Sequence, residues 1–231
     1  MATDETRSAE TVGARGPEAG TRYRPAYPDQ LLDDLAALRP VQVLDIATGT
    51  DTTAAALTRR GLAVHGVDVT AFAAWDDRGR RYELITCGDA WHRIDPAPGV
   101  LKAAILLRTG GTLARFWTHQ ILDRAVSAAF EAVYRTYAPQ ASTHGREPTD
   151  RDDAMFLASS AFTGHESRTY WDEHVLTAEE WVALVTAYPD HQRLGPQRLA
   201  ALVSELRATI AALGGRVHTR RATVLVRARR T

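Results

Sequence analysis

The residues best suited to chemistry stand at the ends of apolar runs. The run VQVLDIA carries Asp45 and closes on Ala47, the chain breaks at Gly49, and TTAAALTRRG then reads as a helix ending at Gly61. Asp68 closes the next run, LAVHGVD, about 20 residues beyond Asp45, the offset at which a carboxylate reaches the vicinal hydroxyls of a ribose held over a glycine turn. An ionised carboxylate accepts from both hydroxyls at once. The plain alternative at Asp45 and Asp68 is a strand-end turn former. A third run, RRYELITCG, delivers Asp89, Trp91 and His92 just past its end, where open α/β sheets hold their chemistry. Asp89 and His92 are the candidate catalytic residues; His92 suits a general base, the alternative being a half-buried histidine packed beside Trp91. The acids of TDRDDAMF, Asp150, Asp152 and Asp153, read as a solvated helix start because Arg151 interrupts them and carboxylates favour that end of a helix dipole. No metal site is expected.

Charge narrows the ligand. A pyrophosphate would rest on the amides that open the helix after Gly49, where Asp51 would repel it. The dinucleotide glycine spacing is absent too, with Ala47, Gly49 and Thr52 at its three positions. A nucleoside without phosphate that carries a sulfonium and an ammonium suits Asp45 and Asp51. S-adenosyl-L-methionine is such a ligand.

These side chains need a sheet to present them. YPDQLLDDLAALRP spaces Leu31, Leu32, Leu35 and Leu38 on one helical face, closed by Pro40. VQVLDI, TTAAALTRRG and LAVHGVDV then form a strand-helix-strand unit, followed by a strand at RRYELITCG, a helix over APGVLKAAILLRTGG closed by Gly110-Gly111, and a strand at TLARFW. The alternation predicts an α/β fold, a mostly parallel sheet covered on both faces. Residues from about 120 to 212 read as a mainly helical insertion that caps the sheet, and RVHTRRATVLVRARR as a C-terminal strand or hairpin arm whose arginines alternate with Val224 and Val226. Residues 1–20 are polar and punctuated by Gly and Pro, as a flexible leader would be, and 21–231 are expected to form one domain.

Twenty-eight basic residues balance 28 acidic ones, so no global field steers the chain to nucleic acid or an anionic membrane, and a small-molecule partner is expected. Lys102 is the only lysine and Cys87 the only cysteine, which excludes an intramolecular disulfide and a thiolate-rich zinc site. With neither a signal-peptide core nor a run of about 18 apolar residues, a cytoplasmic location is expected.

YRPAYP, VLDIATGT, GVD, YELITCGDAWHRIDP, LLRTGGTLARFW and TAYPDH, in this order, resemble the class I S-adenosylmethionine-dependent methyltransferases, in particular small bacterial enzymes of the ubiquinone-biosynthesis type. The resemblance spans roughly residues 22 to 227. It implies a Rossmann-like doubly wound sheet, normally of seven strands with the last antiparallel, and methyl transfer to a small molecule. It also implies that Asp45, Ala47 and Gly49 line the methionine end of the cofactor, Asp68 the ribose, and Cys87 and Gly88 the strand end nearest the sulfonium, with Tyr23 and Tyr27 in an N-terminal lid. Three departures stand out: Asp51 replaces a glycine, Ala73 and Ala74 replace an acidic pair near the adenine with Asp76 and Asp77 as the only substitutes, and the path from Asp68 to Tyr82 is too short for a helix and a strand. The sheet is therefore expected to lack one strand and one helix, leaving an edge that pairs with a second subunit or is covered by the N-terminal region. A methyltransferase-like protein without methyl transfer, serving as a binding module or a repurposed fold, is the alternative function.

Overall fold

The structure, a computed structural model of the chain, describes residues 26–47, 52–141 and 158–231. Tyr23, Gly49, Asp51, the acids at 150–153 and the expected leader lie outside the described residues. Helix α1 (Asp29–Ala36) leads into β1 (Gln42–Ala47), α2 (Thr52–Arg59), β2 (Ala63–Asp68) and β3 (Tyr82–Gly88). A short 3-10 turn (Trp91–Arg93), α3 (Pro96–Leu106), β4 (Leu107–Leu122) and α4 (Arg124–Tyr137) follow. The chain finishes with β5 (Phe162–Thr177), α5 (Ala178–Thr186), the one-turn α6 (Pro189–Gln192), α7 (Pro196–Ala212) and β6 (Arg216–Arg230).

The strands form one sheet in the order β2-β1-β3-β4-β6-β5. β2, β1, β3 and β4 are parallel neighbours, and β6 runs antiparallel to both β4 and β5. Period-2 alternation sorts the apolar side chains onto two faces. Leu44, Ile46, Ile85, Cys87 and Leu113 pack with α3 on one side, whereas Val43, Leu84, Ala114, Phe116 and Leu225 pack with α1 and α2 on the other. A third core joins α4, α5 and α7 to the far ends of the long strands through Leu122 and Val217. Within it the Tyr134 hydroxyl meets His191 Nε2 at 2.7 Å, both side chains buried. Helix ends are set locally: Asp123 accepts from the Val126 amide at 2.9 Å, and Thr177 and Glu180 complete a reciprocal capping box.

Two expectations need correction, and the C-terminal strand is as expected. Gly110 and Gly111 do not close α3, which ends at Leu106; they lie inside β4, where Gly110 has φ of 78° and the pairing with β3 slips. They serve a bulge, the other common use of glycine. Residues 162–177, expected within the helical insertion, form a 16-residue strand. Its acids meet arginines on β6: Asp172 with Arg221, Glu173 with Arg220 and Glu166 with Arg227. RVHTRRATVLVRARR is one strand, inserted between β4 and β5.

The expected shortening is present. Residues 69–81 hold turns only, and β2 ends the sheet among the described residues. The turn itself packs at this end of the sheet, and α1 shares a core with Val64 of β2. Phe72 is fully buried, the Trp75 ring lies 5.4 Å from His65 of β2, and Lys102 donates to the carbonyls of Ala73 and Trp75 at 3.0 and 2.7 Å. Leu101 and Ile105 of α3 remain 60% and 58% exposed, an apolar surface with no helix over it among the described residues.

Candidate functional site

The strand order reverses between β1 and β3, so their carboxyl ends open the crevice in which doubly wound sheets hold ligands. Register brings Ala47 beside Asp68 and Ile46 beside Cys87, which puts the ends of β2, β1 and β3 in one line. Asp45 is buried on β1 and accepts from the Thr86 hydroxyl at 2.6 Å. Asp68 is exposed at the end of β2. Its carboxylate accepts from the Thr70 amide at 2.7 Å and from the Thr70 hydroxyl; those bonds, hydroxyl first, outweigh burial and hold its pKa below the usual carboxylate value, helped by the charge of Arg93. It is therefore a turn former that stays ionised and faces solvent.

At the end of β3, Gly88 leaves room that another residue takes. A Cβ there would lie 2.6 Å from both Phe116 Cε2 and the Tyr27 hydroxyl. The Tyr27 ring meets Phe116 edge-on at 4.7 Å, and its hydroxyl donates to Asp89 Oδ2 at 2.7 Å. Asp89 adopts φ of 51°, which Asp tolerates better than most residues, and its other oxygen accepts from the Thr118 amide at 3.2 Å. Tyr27 thus covers the β3 end of the crevice.

No family model matches the sequence. Uncharacterized methyltransferases of Mycobacterium tuberculosis and Mycobacterium bovis are 29% identical over 117 residues, covering 42% of this chain and 47% of theirs. The chain spans about half the length of the curated relatives it matches. A candidate type II methyltransferase from Anaeromyxobacter dehalogenans superposes with a TM-score of 0.61 at 17% identity, over 89% of this chain and 97% of that one. A candidate methyltransferase from an antibiotic biosynthesis pathway of Anabaena variabilis gives 0.53 at 12% identity, over 88% and 98%. At such identities the structures speak for the fold alone, and the mycobacterial likeness is confined to less than half of this chain. The chain shares its fold with these candidate methyltransferases.

The remaining candidate residues take distinct places in this methyltransferase-like sheet. Burial pushes the Cys87 thiol up, with Asp45 adding to the effect and Arg115 opposing it, so what Cys87 offers at the strand end is backbone. His92 is exposed on the 3-10 turn while Trp91 is buried, which corrects the alternative of a half-buried histidine packed beside Trp91. A 3-10 turn projects neighbouring side chains about a third of a turn apart. Asp76 and Asp77 accept from the amides of Arg78 and Gly79, at 2.9 and 2.6 Å, and so tie their own turn. Among the described residues no group of His, Cys, Asp and Glu could hold a metal ion, and no helix is long and apolar enough to cross a membrane.

Sequence reasoning missed three residues. Arg115 lies buried on β4 with its guanidinium 5.0 Å from the Trp91 ring centre; the signal was an arginine inside the apolar TLARFW. Arg221 and Asp172, bonded to each other through Nε and Oδ1 at 2.8 Å, are 49 residues apart, and no local pattern announces such a pair.

Proposed function

We propose that the protein is an S-adenosyl-L-methionine-dependent methyltransferase acting on a small-molecule acceptor. The observation that carries this reading is the line Ala47, Asp68 and Gly88 at the ends of three parallel strands, with Asp68 exposed and its pKa held low. The donor set fits: Asp68 would take the ribose hydroxyls, buried Asp45 and the backbone of Ala47 and Gly49 the methionine end, and the backbone of Cys87 and Gly88 the region of the sulfonium, with Tyr23 and Tyr27 closing over it. The bound cofactor supplies an electrophilic methyl group. The protein aligns and dehydrates the acceptor, which suffices for displacement at an activated methyl carbon. Exposed His92 is the candidate base for a hydroxyl or amine acceptor, and Asp89, engaged by Tyr27 and Thr118, orients the lid. The same reading makes the protein cytoplasmic, where buried Cys87 stays a thiol.

Calorimetric titration with S-adenosylhomocysteine tests the reading. Wild type binds, and Asp68→Ala weakens binding by about 1.5–3 kcal/mol through loss of charge-assisted hydrogen bonds. Equal affinities, or no binding at millimolar ligand, would remove the site assignment. One observation favours the second reading, a methyltransferase-like binding module: among the described residues the sheet ends at β2, and Asp76 and Asp77, which could replace the family's acidic pair only if the loop shifted, bond to their own turn. Binding of the product without turnover against any acceptor fraction would favour the module.

A further inference from the structure

We infer that Arg221 and Asp172, on the antiparallel side of the sheet, are positioning residues that fix Ala26 and Tyr27 over the end of β3. This rests on the cofactor reading above. Arg221 lies on β6 opposite Asp172 of β5, and its side chain is only 5% exposed. Its Nε donates to Asp172 Oδ1 at 2.8 Å and its Nη2 to the second oxygen; the same Nη2 reaches the Ala26 carbonyl at 3.2 Å. A guanidinium held in plane by two parallel bonds aims its remaining N–H bonds in fixed directions, which an ammonium on a flexible stem does not do. The next residue, Tyr27, is held from the opposite side by Asp89, Phe116 and the bare backbone of Gly88. Two consecutive residues are thus tied to different strands, Ala26 to β6 and Tyr27 to the ends of β3 and β4.

Stability alone is a poor reason for this arrangement. Burying an ion pair carries a desolvation penalty that a well-packed apolar pair avoids, so apolar side chains would serve the core as well. They would not hold a backbone carbonyl. His174, 3.1 Å from Asp172, borders the pair on the same strand and adds a second partner to the carboxylate. Each member of the group restrains the next, and the chain of restraint ends at Ala26.

The test is a double-mutant cycle read by calorimetric titration with S-adenosylhomocysteine. In the Tyr27 background, Arg221→Leu with Asp172→Leu removes both charges together and weakens binding about tenfold. In a Tyr27→Ala background the same pair of changes shifts binding by less than about twofold, because the anchor then has nothing to position. Arg221→Lys, which keeps the charge and a partner for Asp172, serves where the double variant does not fold; it gives part of the loss, again only when Tyr27 is present. Equal losses in both backgrounds, or unchanged affinity beside a lowered melting temperature, would overturn the inference and reduce the pair to a structural element. Failure of wild type to bind would instead overturn the cofactor reading itself.

Discussion

β2, β1 and β3 are six or seven residues long and stop together at Asp68, Ala47 and Gly88. β4, β5 and β6 run for 15 or 16 residues and carry on beyond that line into the helical layer. In the first group the polar side chain at the end of β2, Asp68, bonds to its own turn, and Asp45 of β1 accepts from Thr86 of β3. In the second they bond across the strands: Thr118 with Thr223, Thr219 with Gln120, Arg221 with Asp172 and Arg227 with Glu166. Short strands that end together leave a rim of loops free to meet a ligand. Long strands with polar side chains bonded across them give a stiff platform. The difference teaches that the crevice is open on one half and braced from the other, with Tyr27 as the link.

The contrast can be broken hardest at the junction. Phe116→Ala empties a buried site on β4 beneath Tyr27, and a loss of about 3–5 kcal/mol in denaturant unfolding is expected. Gly88→Ala comes next: its methyl meets Phe116 and the Tyr27 hydroxyl, so destabilisation of about 1–3 kcal/mol is expected, partly recovered when Tyr27→Ala is added. The helical layer gives a pH probe of the platform side. Burial lowers the pKa of His191 below its ordinary 6.5, so the neutral ring is the native form and the folded state binds fewer protons than the unfolded one. Stability from this site is therefore present above pH 6.5 and lost as pH falls from there toward the depressed native value. Melting curves across that window fall for wild type and flatten for His191→Gln.

Smaller effects belong to the open half. Lys102→Met removes two donors from the carbonyls of the 69–81 turn and costs about 1 kcal/mol, seen as faster amide exchange in that turn with the strands unchanged. Asp68→Ala shifts melting by no more than about 0.5 kcal/mol at neutral pH, because the side chain is exposed. A larger drop would place Asp68 in the framework and erase the distinction between rim and platform.

What was legible in the sequence follows the same division. The parallel half could be read because its signals are local: apolar runs of strand length, an acid near or at each end, and Gly61 closing α2 with φ of 84°. The shortened segment was legible as a plain shortage of residues between Asp68 and Tyr82. The long strand β5 was not, since HESRTYWDEHV reads as polar until the arginines of β6 are placed against it. Those partners are 49 and 61 residues away, and pairing over such separations leaves no periodic trace in one sequence. Gly110-Gly111 was ambiguous for a different reason: glycine ends helices and makes bulges by the same freedom at positive φ. At the candidate site, Asp68 and Gly88 were named by position alone. The seat that Gly88 provides for Tyr27 depends on Phe116, which reaches it only through the pairing of β3 with β4.

The amine of Lys102 holds the turn that stands in for a helix and strand, and the sequence contains no other lysine. Amine-directed reagents therefore have a single side-chain target in this sequence. Acylation would remove its charge and take away the donors on which the two carbonyls depend. Labelling and loosening of the turn become one event, and the rate at which label enters reports how often residues 69–81 let go.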